Sequence, residues 1–315
     1  MSVKIAVLET IHDAGLEVLA LTSNVEHFEG LSRAELLSVI HDYDVIILKS
    51  NIQVDREFLE RAQALKIVAR AGVGVDNIDC DLLEEKGIKL ITTPTGNTIS
   101  TAEFTIGLIM NLIRRMPEIN TAVQNNDFRR HLYEGRELSQ LSIGIVGLGN
   151  TGMAVARRLS PFGCKLYGCD RTMRRETIFA DLGGKMVETI DEMLEHIDVL
   201  TLHVPSTDKT SNMVNESVFN RMKKGSFLIN TARGDIVNKK DLIEALDNGV
   251  IASAALDVIH PEPPYNAAPE QHDFSHALIN HPRILFTPHI AASTNDAQKR
   301  MSLQIAEEIK AFFSD

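Results

Sequence analysis

Leu141-Ser142-Ile143-Gly144-Ile145-Val146-Gly147-Leu148-Gly149-Asn150-Thr151-Gly152 is the stretch on which the reading of the chain turns. Ile143 to Val146 is a short buried strand, Gly147 to Gly152 spells GxGxxG, and a helix follows from Met153 to Leu159. The first glycine permits a tight turn and the second lets the main chain approach a pyrophosphate. The third lets the helix pack close to the strand, with its N-terminus facing the anion; Asn150 and Thr151 lie at that N-terminus. Asp170, 18 positions beyond Gly152, ends the next strand, where a carboxylate accepts hydrogen bonds from the ribose hydroxyls of adenosine. A 2′-phosphate would meet a like charge there, so Asp170 favours NAD. Arg171, Arg174 and Arg175 are the groups that would answer such a phosphate.

Downstream of this unit, Lys165 to Cys169, Val199 to Val204, Phe227 to Asn230, Ala252 to Leu256 and Ile284 to Thr287 read as further buried strands, six in all with Ile143 to Val146. Upstream, Val3 to Leu8, Val45 to Leu48, Ile67 to Ala69 and Leu90 to Thr92 alternate with helical segments at Ala14 to Leu21, Phe58 to Ala64 and Leu82 to Lys86. Short apolar strands separated by amphipathic helices imply parallel sheets covered on both faces. Between the two alternations Thr98 to Arg115 runs for about five turns, apolar almost all round. It is a helix buried between domains or against a second subunit. Gln124 to Gln140 is polar and poorly periodic, His260 to Pro269 is a proline-rich loop, and Thr294 to Phe313 is a terminal helix.

The whole chain sets bounds on partners. Its 315 residues, 44% hydrophobic and 24% charged, suit two globular domains. With 32 Lys plus Arg against 43 Asp plus Glu the net charge is −11, which disfavours nucleic acid and anionic membranes as partners. Cys80, Cys164 and Cys169 form neither a disulfide framework nor a metal-type CxxC pair, so a reducing, cytoplasmic setting without metal is expected. The N-terminus has no signal-peptide pattern, and no apolar run reaches membrane-spanning length.

Three segments at strand ends carry titratable groups: Asn230-Thr231-Ala232-Arg233-Gly234, then Leu256 to Pro263 with Asp257 and Glu262, then Thr287-Pro288-His289. Ligands of open α/β sheets bind beyond the carboxyl ends of strands. Oxidising a secondary alcohol needs a base for the hydroxyl proton, a carboxylate to orient that base, and a cation to hold a substrate carboxylate. His289, Glu262 and Arg233 form such a set.

These segments, with Arg70-Ala71-Gly72-Val73-Gly74-Val75-Asp76-Asn77, Asn97-Thr98-Ile99-Ser100-Thr101-Ala102-Glu103 and His203-Val204-Pro205, resemble the D-2-hydroxyacid dehydrogenase family over nearly the whole length. The resemblance implies an α/β fold of two Rossmann-like doubly wound parallel-sheet domains. A NAD-binding domain, 99–291, is inserted into a flavodoxin-like substrate domain, 1–98 plus 292–315. It implies that His289 is the general acid/base, Glu262 its partner and Arg233 the substrate clamp. The amides of Gly72, Val73 and Gly74 would hold the substrate carboxylate. Asn150 and Thr151 would lie at the pyrophosphate, Val204 and Pro205 beside the adenosine, Thr231 and Ala232 near the nicotinamide, and Asp257 on its carboxamide. The helix from Thr98 would form a homodimer interface.

Within the family the motifs are most similar to those of 3-phosphoglycerate dehydrogenases, which act in serine biosynthesis. Lys49, Arg70 and Arg130 are the cations that would meet a substrate phosphate. Lys49 stands where those enzymes usually have Arg and lacks bidentate geometry; Phe128 stands where Trp is common and Ser206 where Leu is usual. The alternatives are a glyoxylate or hydroxypyruvate reductase and, more remotely, a NAD(H)-sensing interaction protein of the corepressor kind. Glu262 argues against a formate dehydrogenase. Ending at Asp315, the chain is expected to lack an appended regulatory domain.

Overall fold

The computed structural model describes residues 2–264 and 267–314. The chain forms two compact units: Met1–Thr98 with Ala292–Asp315, and Ile99–Ala291.

The first unit is built on five parallel strands, β1 (Val3–Val7), β2 (Ser23–His27), β3 (Val45–Leu48), β4 (Ile67–Arg70) and β5 (Lys89–Thr92), in the order β2-β1-β3-β4-β5. This is the flavodoxin-like order, with its switch point between β1 and β3. Because successive strand residues point to opposite faces, Val45 and Ile47 enter one core with Ile5, Val7, Ile67 and Ala69, while Ile46 and Leu48 enter the other with Ala6, Leu8 and Val68. Each fully buried Val, Leu or Ile among them contributes about 1.5–3 kcal/mol. The terminal helix Asn295–Ser314 closes the first of these cores with Ile305, Ala306 and Ile309. Ser302 of that helix donates to the His12 carbonyl (2.5 Å) and accepts from Gly15 N–H (3.1 Å), so the tail is stitched to the start of the chain.

The second unit holds seven parallel strands: β6 (Ser142–Val146), β7 (Lys165–Cys169), β8 (Gly184–Val187), β9 (Val199–Leu202), β10 (Ser226–Asn230), β11 (Ile251–Leu256) and β12 (Ile284–Phe286). Their order is β12-β11-β10-β9-β6-β7-β8, which is the Rossmann arrangement with one further strand. The order reverses at β6, with β7 on one side and β9 on the other, so a crevice opens where the GxGxxG turn leaves the sheet.

Two strands, β2 and β8, went unread in the sequence. Both are sheet edges, paired on one side only, and their sequences SNVEH and GKMV lack the apolar run of a central strand. The helix at Thr98 ends at Ile113, because Arg115 adopts a left-handed conformation (φ 53°) and a new helix begins at Met116–Gln124. Its buried face, with Ala102, Leu108, Ile109, Leu112 and Ile113, packs on Ile143 and Ile145 of its own unit, a placement neither sequence alternative contained. The proline-rich loop carries no helix or strand from His260 to Pro264; Tyr265 and Asn266 lie outside the described residues. No helix among the described residues is long and apolar enough to cross a membrane.

Candidate active site

The three glycines of the GxGxxG meet three different surroundings. Gly147 has φ 90°, in the left-handed region, and a Cβ there would lie 2.6 Å from the His203 carbonyl oxygen and 2.9 Å from Val204 Cγ1. A Cβ on Gly152 would lie 1.9 Å from the Gly147 carbonyl oxygen, so this glycine lets the Asn150–Leu159 helix sit on the turn. A Cβ on Gly149 would meet nothing within 4 Å, which leaves open space at the N-terminus of that helix. Asp170, at the end of β7, accepts from Leu148 N–H (2.6 Å) and Thr172 N–H (3.3 Å), fixing its carboxylate at the mouth of the turn. Arg175 donates to the Leu148 carbonyl (2.8 Å) and Asn150 Oδ1 (3.3 Å), joining the glycine turn in a way its spacing did not reveal. Open space, exposed amides and a helix N-terminus suit a pyrophosphate, and the carboxylate suits a ribose. These residues fit NAD.

The row of strand ends continues through β10, β11 and β12. Asn230 is buried at the end of β10; its side-chain amide donates to the Arg233 carbonyl (2.8 Å) while its oxygen accepts from Ala232 N–H (3.0 Å). That brace shapes the turn presenting Arg233, and Asn230 is a positioning residue that went unread in the sequence. Thr105 Oγ1 donates to the Thr101 carbonyl (2.8 Å) and has one hydrogen, so Thr231 Oγ1 donates to Thr105 Oγ1 (3.0 Å). Thr231 thereby keeps its lone pairs available.

Asp257 is only 1% exposed. One carboxylate oxygen accepts from Thr287 Oγ1 (2.5 Å) and Ile290 N–H (3.0 Å), and the other from Ala291 N–H (2.9 Å); its carbonyl accepts from His289 N–H (2.8 Å). These bonds enclose His289, a non-glycine residue at φ 54°, a conformation that must be held by its surroundings. Asp257 therefore acts as the anchor of the His289 turn. His289 Nδ1 lies 2.9 Å from Glu262 Oε1, with side chains 33% and 41% exposed. The carboxylate fixes the proton on Nδ1 and leaves Nε2 as the basic nitrogen.

In the first unit, Lys49 follows β3 and Arg70 ends β4, adjacent strands with Leu48 opposite Arg70. The Arg70 guanidinium lies where a Cβ of Gly72 would be (1.9 Å), so Gly72 makes room for it. Gly72 N–H donates to the Arg70 carbonyl (2.8 Å), an engagement not anticipated for a substrate-binding amide; Val73 is exposed at the turn's tip. Lys49 is half-buried, and burial pushes its ammonium below its usual range while the nearby Glu9 carboxylate opposes the shift. Glu9 also accepts from the backbone N–H groups of Lys49 (2.7 Å) and Asn51 (3.3 Å). Arg130 belongs to the other unit, on the exposed turn Arg130–Leu132, so no arrangement within one unit joins it to Lys49.

Residues 106–291 match the family model described as D-isomer specific 2-hydroxyacid dehydrogenase, NAD binding domain. The chain is 37% identical to a D-3-phosphoglycerate dehydrogenase of Methanocaldococcus jannaschii over 98% of its own length, but spans only 57% of that relative. Its fold is similar to a D-lactate dehydrogenase from Aquifex aeolicus complexed with NAD and lactic acid (TM-score 0.88, 27% identity, 99% of this chain and 95% of that one). It is also similar to a NADPH-dependent glyoxylate/hydroxypyruvate reductase from Sinorhizobium meliloti in complex with NADP and malonate (TM-score 0.83, 29% identity, 100% and 94%). With the strand-end groups and the nucleotide turn in place, the chain belongs to the D-isomer specific 2-hydroxyacid dehydrogenase family, and the residues that match its NAD-binding domain fall within the unit Ile99–Ala291.

Proposed function

We propose that the protein is a NAD-dependent dehydrogenase interconverting a D-2-hydroxy acid and its 2-keto acid, with 3-phosphoglycerate as the preferred hydroxy acid. The observation that carries the reading is the 2.9 Å pair of His289 Nδ1 and Glu262 Oε1 on an anchored turn at the strand ends. His289 Nε2 takes the hydroxyl proton during oxidation, and Glu262 stabilises the imidazolium that forms. Bound NAD supplies the hydride acceptor. Arg233 clamps the substrate carboxylate and polarises the carbonyl in the reverse direction. Val73 and Gly74 offer amides for a substrate carboxylate, with Gly72 shaping their turn. Gly147, Gly149, Asn150, Thr151 and Gly152 cradle the pyrophosphate, Asp170 the ribose, Val204 and Pro205 the adenosine side, and Thr231 and Ala232 the nicotinamide end.

Lys49, Arg70 and Arg130 are the phosphate-facing cations of this reading. One observation favours a second: Glu9 beside Lys49 sets a carboxylate against any phosphate there, which suits the smaller unphosphorylated acids of a glyoxylate or hydroxypyruvate reductase. A homodimer is part of the proposal, supported by exposed Ile99, Met116, Val123, Phe128 and Leu132 on and after the Thr98–Ile113 helix.

His289→Ala tests the central role. Turnover is expected to fall by at least about 1,000-fold, within the range for loss of an essential acid/base, while NADH affinity measured by fluorescence stays within about twofold. Equal losses of NADH affinity and rate would refute the assignment of His289 to substrate protons.

A further inference from the structure

Glu262 stands in a stretch, His260 to Pro264, without helix or strand, in which Pro261, Pro263 and Pro264 have no N–H to donate. Among the described residues two of its main-chain carbonyls are tied down: that of Pro264 by Ala267 N–H (3.0 Å), and that of His260 by the ring of His276 (Nε2, 2.9 Å). The His276 ring is buried and stacked on Phe274, centroids 6.3 Å apart and planes within 7°. Its Nδ1 accepts from the N–H of Leu278 (3.3 Å), a residue of the hydrophobic core. Two engaged nitrogens select one tautomer, with Nδ1 bare and Nε2 protonated. On the other side a Cβ at Gly234 would lie 2.5 Å from His260 N, so the turn that presents Arg233 presses against the Ile259–His260 peptide, the one just before the carbonyl that His276 holds.

We propose that His276 is a positioning residue for the acid–base pair: by holding the His260 carbonyl it sets Glu262, two residues on, at bonding distance from His289. The proposal rests on the reading of Glu262 and His289 as that pair. A misplacement of about 1 Å at a reacting group costs up to about 100-fold in rate, so a strut remote from substrate has a measurable effect.

Two substitutions separate the strut from mere packing. His276→Asn keeps an acceptor for Leu278 N–H but is too short to reach His260, whereas His276→Gln carries an amide N–H out to the Nε2 position. Rates are read from NADH oxidation with whichever of 3-phosphohydroxypyruvate, hydroxypyruvate or glyoxylate wild type turns over fastest. H276N is expected to lose about 10- to 100-fold in kcat with NADH affinity within about twofold, and to exchange amide hydrogens faster over residues 255–264. H276Q is expected to recover both to within a few-fold. In a Glu262→Gln background H276N is expected to cost nothing further, the signature of an effect exerted through Glu262. Undiminished kcat in H276N, an equal loss in the E262Q background, or H276Q no better than H276N each overturns the proposal. If E262Q itself keeps the wild-type kcat, the acid–base assignment fails first, and the proposal with it.

Discussion

At the scale of the residue, charge and hydrogen bonding decide the site. His203 follows β9 beside the glycine turn, with Nε2 3.0 Å from Thr201 Oγ1, and burial pushes its pKa down to about 4 from the usual 6.5. Between those values the unfolded chain binds more protons than the folded one, so stability is full above pH 6.5 and is lost as pH falls toward 4. Denaturant unfolding should show about 2 kcal/mol less stability at pH 5 than at pH 7 from this residue. His203→Gln should remove that part of the slope; a slope unchanged in the variant would place the titration elsewhere. The residues proposed to do the chemistry could be picked out in the sequence because they follow strand ends in short motifs: Arg233 after Asn230, Glu262 after Asp257, His289 after Thr287. Their supports were not. Thr105 and His276 bond hydroxyls or main-chain carbonyls 126 and 16 residues away, pairs that only the folded chain brings close, whereas Asn230 braces its own turn two and three residues on, a local pattern that an Asn at a strand end signals.

At the scale of the element, the glycine turn separates binding from folding. Gly149→Ala adds a methyl group to open space and should leave the melting temperature within about 2 °C, while weakening NADH binding by about tenfold or more by intruding where the pyrophosphate approaches. Gly152→Ala drives a Cβ onto the Gly147 carbonyl oxygen and should cost about 2 kcal/mol or more of stability. Calorimetry and fluorescence titration of the two variants check this; a destabilised but tightly binding Gly149→Ala would contradict the account. Central strands such as Val45–Leu48 and Ile143–Val146 announced themselves as apolar runs because both faces are covered. Strands β2 and β8 did not, because SNVEH and GKMV mix polar or small residues with apolar ones and so lack such a run.

At the scale of the whole molecule, the pattern that was legible is the insertion of one parallel-sheet unit into another. GxGxxG marks the start of the second alternation, and the final helix returns to the first unit through Ser302, Ile305 and Ile309. The exposed apolar groups that recur between Ile99 and Leu132, with Phe128 70% exposed, predict association. Light scattering should give a mass twice the chain's 34.9 kDa, falling to the single-chain mass in Phe128→Glu/Leu132→Glu; a monomeric wild type would remove the dimer from the proposal. Substrate choice was the least legible property, because Lys49, Glu9, Arg70 and Arg130 offer charges of both signs without a motif that states what they bind.

The most direct test of the central claim is the steady-state rate of NADH oxidation with 3-phosphohydroxypyruvate, hydroxypyruvate and glyoxylate, and of NAD reduction with 3-phosphoglycerate, D-glycerate and D-lactate. The account predicts turnover of D-2-hydroxy and 2-keto acids, with kcat/KM for the phosphorylated pair higher by more than about 100-fold, or roughly 2.7 kcal/mol of transition-state stabilisation. A preference for the unphosphorylated acids would reassign the substrate while keeping the chemistry. No turnover of any of the six, from a preparation that binds NADH, would contradict the dehydrogenase reading itself.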